Sequence, residues 1–77
     1  MNKEVLSEDS IKHIISRLID NANEAVSDSK KNKGDTFYDG KKLAYYEMLD
    51  TLKNELFARG QDLKEFGLDK NLEKELL

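Results

Sequence analysis

Apolar residues spaced three and four apart over residues 8–28 constrain this chain more than any other feature of its sequence. They recur with the period of an α-helix and fall within about 140° of a helical wheel. The set comprises Ile11, Ile14, Ile15, Leu18, Ile19, Ala22, Ala25 and Val26. Ser7 stands where an N-cap residue belongs, and Leu6 is placed to contact Ile11 as a hydrophobic staple. We therefore predict an amphipathic helix over residues 8–28.

A second helical pattern runs over residues 37–59. Its apolar stripe comprises Phe37, Tyr38, Ala44, Tyr45, Met48, Leu49, Leu52 and Leu56. Thr36 followed by Asp39 resembles a capping box, and Asp39 itself is an alternative N-cap one turn later. Gly60 stands where a helix-ending glycine belongs. Residues 29–35 are polar and lack periodicity, which predicts a loop. Two helices of similar length joined by so short a loop predict an antiparallel hairpin.

The C-terminal residues 61–77 follow a different pattern, with short helical segments predicted at residues 62–66 and 70–76. Each segment is too short to be helical unaided, so docking must order it. The apolar side chains available for docking are Leu63, Phe66, Leu72, Leu76 and Leu77. Two arrangements stay open: these residues cover their own hairpin as a third helical element, or they form part of an interface with another subunit.

A thinner apolar strip lies off the main stripe of the second helix and consists of Leu43, Tyr46 and Phe57. Together with Phe66 these are the candidate interface residues, since an exposed apolar strip needs cover. A chain of 77 residues that is 38% apolar has little core of its own. We therefore expect an all-α fold in which two hairpins dimerise into an antiparallel four-helix bundle.

Composition limits both the compartment and the chemistry of the protein. The chain has no cysteine, which excludes disulfides and thiolate metal sites. No apolar run approaches the roughly 20 residues needed to span a bilayer, and residues 1–6 lack the apolar core of a signal peptide. We expect a cytoplasmic protein without membrane association.

Three acidic residues at every fourth position, Asp20, Glu24 and Asp28, form a ridge on the polar side of the first helix. Neighbouring like charges at this spacing destabilise a helix by about 0.3 kcal/mol per pair. Because such a local cost is sometimes retained for function, the ridge is a candidate contact for a cationic partner or a divalent metal. The alternative is a solvated face that Arg17 and Lys30 partly neutralise.

Five lysines gather at the loop end of the predicted hairpin and form a candidate patch for an anion or a nucleic-acid backbone. They are Lys30, Lys31, Lys33, Lys41 and Lys42. The net charge of −3 and the interspersed Asp28, Asp35 and Asp39 argue against nucleic-acid binding. A small nucleic-acid-associated or phage-type regulator is retained as the alternative function.

Known catalytic patterns do not occur in the sequence. His13 is the single histidine and falls on the polar side of the first helix, where a general base would have neither an orienting partner nor a pocket. There is also no phosphate-binding glycine loop and no nucleophile elbow. We expect no enzymatic activity and no cofactor, and we infer a protein-interaction or regulatory module that self-associates as a helical hairpin.

Residues 37–54 contain an aromatic-x-Gly-Lys segment, Tyr38 to Lys41, followed by Ala44, Tyr45 and Leu49. This stretch resembles small uncharacterised helical proteins of Gram-positive bacteria, often of prophage type. The resemblance implies a short helical bacterial protein and assigns no catalytic residue.

Overall fold

A computed structural model of the chain describes residues 6–77. Residues 1–5, which are most of the segment examined for a signal peptide, lie outside the described residues. α1 spans Glu8–Lys31, α2 spans Thr36–Ala58, a 3₁₀ turn spans Leu63–Phe66 and α3 spans Leu72–Leu76. No strand occurs within residues 6–77. The predicted all-α hairpin followed by a short helix is confirmed.

The first helix, α1, begins as predicted and ends later than predicted. The Ser7 hydroxyl accepts a hydrogen bond from the backbone N–H of Ser10 at 3.1 Å, which confirms Ser7 as the N-cap residue. The helix continues through Lys31, since two lysines in its last turn complement the negative end of the helix dipole. The loop predicted at residues 29–35 therefore shrinks to residues 32–35.

The second helix, α2, is capped one residue earlier than the sequence pattern indicates. The Asp35 carboxylate accepts a hydrogen bond from the N–H of Phe37 at 3.0 Å. Asp35 is thus the N-cap, and the capping box predicted to start at Thr36 is wrong. Aspartate suits this position because its charge also complements the positive end of the helix dipole. At the other end, α2 stops at Ala58.

Two glycines turn residues 61–77, which we call the tail, back onto the hairpin. Gly60 has φ of 76° and Gly67 has φ of 73°, a conformation that side-chain-bearing residues rarely adopt. Each glycine ends a helical segment with the hydrogen bonds of a Schellman turn. The side chain of Asn71 then caps α3 by accepting from the N–H of Lys74 at 3.1 Å. The tail packs against its own α1 and α2, the first of the two arrangements left open above.

The tail supplies half of the buried apolar side chains. The core consists of Ile15, Ala22, Ala25, Leu49, Phe66, Leu68, Leu72 and Leu76, each at most 7% exposed. The Cα atoms extend over 49 × 29 × 14 Å along the principal axes, with a radius of gyration of 14.3 Å. The fold is therefore a flat slab, with the tail along one side of the hairpin.

Candidate functional site

One buried hydrogen bond sets the register of the hairpin. Ser29, which is 7% exposed, donates from Oγ to Oδ1 of Asp39 at 2.7 Å. Because α1 and α2 run antiparallel, residues equally far from this bond along the two helices lie level with each other. Asn21, eight residues before Ser29, therefore lies level with Glu47, eight residues after Asp39.

The tail covers one broad side of the hairpin, which we call the covered face. On α1, Lys12 and Ile19 line a cavity of about 340 Å³ together with residues 64–67 of the tail. On α2, Lys53 donates from Nζ to the backbone carbonyl of Lys70 at 2.6 Å. These contacts define which side of each long helix the tail occupies.

Lys12 connects α1 to the tail on the covered face. Its Nζ lies 2.9 Å from the Glu8 carboxylate, 3.1 Å from the Glu65 carboxylate and 5.6 Å from the centroid of the Phe66 ring. The hydrogen bond to Glu8 and then that to Glu65 raise the pKa of Lys12 above its ordinary value. The ammonium group is thus engaged in holding the tail.

The four candidate interface residues fall into different environments. Tyr46 is half-buried against the core, and this burial, followed by the nearby charge of Asp50, raises the pKa of its phenol. Phe66 is 7% exposed and belongs to the core. Leu43 and Phe57 are 45% and 72% exposed. The tail therefore covers only part of the strip formed by Leu43, Tyr46 and Phe57.

We call the opposite broad side of the hairpin the open face. Helical geometry places Ile14 and Leu18 of α1 on this side, together with Met48 and Leu52 of α2. Ile14 is 45% and Met48 is 44% exposed, while Leu18 and Leu52 are half-buried. Ile14 and Met48 are therefore parts of the two stripes that a single chain leaves exposed, and their burial by a second hairpin stays a prediction.

The two ends of the open face differ in charge. At the loop end, Phe37 is 66% exposed and its ring packs edge-on against Tyr38, with 5.1 Å between centroids. Lys41, one turn further on, is half-buried. At the other end, Glu55 forms an exposed ion pair with Arg59 at 3.7 Å. The open face therefore has an apolar middle, a lysine towards one end and a carboxylate towards the other.

The acidic ridge lies on the polar side of α1, and its first member, Asp20, lines the cavity that Lys12 and Ile19 share with residues 64–67 of the tail. Asp20 and Glu24 are exposed and Asp28 is half-buried. None of the ion pairs formed within residues 6–77 involves these carboxylates. His13 is exposed on the same helix, and no cluster of three acidic or histidine residues in the described part of the chain is arranged to hold a metal ion.

The lysine cluster surrounds a helix start that carboxylates already occupy. Three of its members, Lys30, Lys31 and Lys33, are exposed, while Lys41 and Lys42 are half-buried. Asp35 caps α2, and Asp39 in the first turn accepts the Ser29 hydrogen bond. The backbone position where an anion would bind a helix N-terminus is therefore taken by the chain itself.

Two buried residues were missed by the sequence pattern. Leu68 is fully buried, and its signal was its place directly after Gly67, since an apolar residue there commonly contacts the preceding turn. Ser29 was assigned to the loop, but it continues the helical spacing of Ala22 and Ala25. Small side chains at that spacing indicate close helix contact near the loop.

Comparison with known proteins identifies no relative: no family model, curated protein or solved structure matches the chain. The resemblance proposed for residues 37–54 stays a prediction. Within residues 6–77, no helix combines the length and the apolar character needed to cross a membrane. The functional argument therefore depends on the residues themselves.

Proposed function

We propose that the protein is a non-enzymatic interaction module that self-associates through the open face of its hairpin. Two copies stacked face to face form an antiparallel four-helix bundle with the tails on the outside. One observation carries the proposal: Met48 near the middle of the open face and Ile14 towards its Glu55 end are 44% and 45% exposed. Exposed apolar side chains that share one surface are typical of interfaces.

The shape of the molecule supports a partner on this face. A compact domain of 77 residues has a radius of gyration of about 11.5 Å, whereas this chain has 14.3 Å. The long axis of the molecule extends over 49 Å, so the hairpin offers an elongated surface to a partner.

The ionisable groups favour binding over catalysis. Within residues 6–77, Lys12 and Tyr46 are the groups whose pKa values are clearly displaced. Contacts with Glu8 and Glu65 account for Lys12, and burial against the core accounts for Tyr46. Since catalytic groups combine a displaced pKa with access to substrate in a cleft, neither residue fits a catalytic role.

Sedimentation equilibrium of a matched pair of variants tests the proposal. We expect the wild-type chain at micromolar concentration to have nearly twice its chain mass of 8.9 kDa. Met48→Lys should give the monomer mass, because it places a charge at the centre of the interface. Leu43→Lys is the control, since Leu43 is 45% exposed on the same helix but lies off the open face.

Two outcomes would contradict the proposal. A wild-type mass of 8.9 kDa at protein concentrations up to about 1 mM would exclude a functional dimer. A dimer that Leu43→Lys dissociates and Met48→Lys leaves intact would place the interface on the strip of Leu43, Tyr46 and Phe57 instead. Circular dichroism of each variant verifies that its helices are retained.

A further inference from the structure

On the open side of α2, the residues before Met48 are complementary in charge and type to the residues at equal distances after it. Lys41 lies seven residues before Met48, and Glu55 lies seven residues after it. Seven residues are two helical turns, so all three side chains share one side of the helix. Phe37 and Arg59 stand at eleven residues before and after Met48, which is three turns. Each cationic position is therefore balanced by an acidic or aromatic position at the same distance.

We propose that two copies pair about a twofold axis beside Met48, so that α2 lies antiparallel on α2 of the second copy. The rotation carries each residue before Met48 over the residue equally far after it. Lys41 then meets the partner's Glu55, and symmetry forms this pair twice. This inference rests on the proposed function and adds the orientation of the two copies.

Exposure and local contacts of these residues agree with the pairing. Glu55 is exposed, and its own-chain ion pair with Arg59 is long at 3.7 Å, so its carboxylate has room for a second cation. Phe37 is 66% exposed, which leaves a ring face for the partner's Arg59 as a cation–π contact. Both side chains are therefore accessible to a second copy.

The twofold axis beside Met48 also passes close to α1, and the register of the hairpin identifies the residue of α1 that lies beside it. Asn21 lies level with Glu47 and Met48, as the Ser29 hydrogen bond requires, and it is exposed on the open side of α1. A residue beside a twofold axis meets its own copy, and an asparagine amide donates to and accepts from another amide. A polar residue at the centre of a helical interface is a known means of specifying register.

Reversing the two charges separately and then mixing the variants tests the axis. In a homodimer of Lys41→Glu, glutamate at position 41 faces Glu55 of the second copy, and symmetry forms this repulsive contact twice. In a homodimer of Glu55→Lys, lysine at position 55 faces Lys41 of the second copy, again twice. The Kd of each variant homodimer should be about ten-fold higher than that of the wild-type dimer. An equimolar mixture pairs Glu with Lys at both positions, so the heterodimer should regain the wild-type Kd within about three-fold.

Native mass spectrometry and sedimentation of the mixture read out this result. The variants Lys31→Glu and Glu24→Lys are the controls, because they reverse exposed charges on the back of α1. We expect neither control to change the Kd by more than about two-fold at physiological salt. Raising the salt concentration should weaken the wild-type dimer and reduce the effect of the Lys41 and Glu55 variants.

Failure of this inference is distinguishable from failure of the proposed function. A wild-type chain that stays monomeric overturns the proposed function and the axis together. A wild-type dimer that tolerates both reversals, or whose weakened variants do not recover on mixing, overturns the axis alone. In that second case α2 would lie on α1 of the second copy.

Discussion

The covered face and the open face of the hairpin use the same two helices and differ in almost every property that matters for function. On α1, Ile15 is 1% exposed and its neighbour Ile14 is 45% exposed. On α2, Leu49 is 1% exposed and its neighbour Met48 is 44% exposed. In each helix, the buried and the exposed residue belong to the same apolar stripe of the sequence. Burial in this fold is thus decided by where the tail lies, and the sequence stripe itself is wider than one hairpin can bury.

The polar contacts follow the same division. The covered face holds the tail with the ammonium of Lys12 and with the Lys53 hydrogen bond to a tail carbonyl. The open face carries Met48 and half-buried leucines near its middle and Ile14 towards one end, with Lys41 and Glu55 towards its two ends. A face that is completed within the chain has its polar groups paired, whereas a face with an apolar centre and a charged rim has the anatomy of an interface.

Removing a tail side chain from the covered face should have the largest effect on folding. Leu68→Ala removes a fully buried side chain, so we expect a loss of about 2–5 kcal/mol in the free energy of unfolding. Urea denaturation followed by circular dichroism measures this loss. Leu77→Ala is the control, because Leu77 is 52% exposed, and it should change stability by less than about 0.5 kcal/mol. Equal effects of the two changes would mean that the tail does not dock as described.

The bond that sets the register of both faces should have the next largest effect. Ser29→Ala removes the donor to Asp39 from a site that is 7% exposed, and we expect a loss of about 1–2 kcal/mol. Ser27→Ala changes an exposed serine of the same helix and is the matched control. If Ser29→Ala leaves the urea midpoint unchanged, the Ser29 hydrogen bond does not stabilise the hairpin. The register that places Asn21 level with Glu47 would then have no experimental support.

The smallest expected effect lies on the covered face and depends on pH. Because the pKa of Lys12 is raised from 10.5 in the folded chain, its stabilising contribution is complete below that value and is lost as the pH rises through the higher folded pKa. Wild type should therefore be more stable than Lys12→Met at about pH 8, and the difference should be smaller at about pH 11. Tyr46 also has a raised pKa and loses stability in the same direction, but it is common to both proteins and cancels in the comparison.

Urea titrations at the two pH values measure this difference. Lys74→Met is the control, since it removes an exposed lysine of the tail outside this contact. A difference between wild type and Lys12→Met that persists unchanged at high pH would show that the methylene groups of Lys12, and not its charge, stabilise the tail.

Local signals in the sequence were sufficient for the hairpin and insufficient for its ends. Ser7 was identified as an N-cap from its residue type and its place before a periodic run, and the structure confirms it. Asp35 was missed as the N-cap of α2 because Thr36 is also a good capping residue and the competition depends on backbone geometry. The end of α1 was missed because the polar residues of its last turn resemble a loop.

The candidate site was harder to predict than the fold. Leu43, Tyr46 and Phe57 were grouped because they lie off the main stripe of α2, and Phe66 joined them because docking must order it. In the structure Phe66 is core and Tyr46 is half-buried. Ile14 and Met48 lie on the main stripes, yet they are 45% and 44% exposed in the single chain. Residue type and helical spacing do not distinguish an apolar side chain that meets the tail from one that meets solvent, since both lie within the same arc of a helix.

The sequence by itself determined two amphipathic helices, their antiparallel pairing and a tail that cannot be ordered alone, because these follow from period, capping and length. Tertiary structure decided which side of the hairpin the tail occupies, and hence which apolar residues remain exposed. The physical reason is that the tail is held by contacts distant in sequence, Lys12 with Glu65 and Lys53 with the carbonyl of Lys70. Local periodicity contains no information about such contacts, which together with the burial of Phe66, Leu68, Leu72 and Leu76 separate the covered face from the open one.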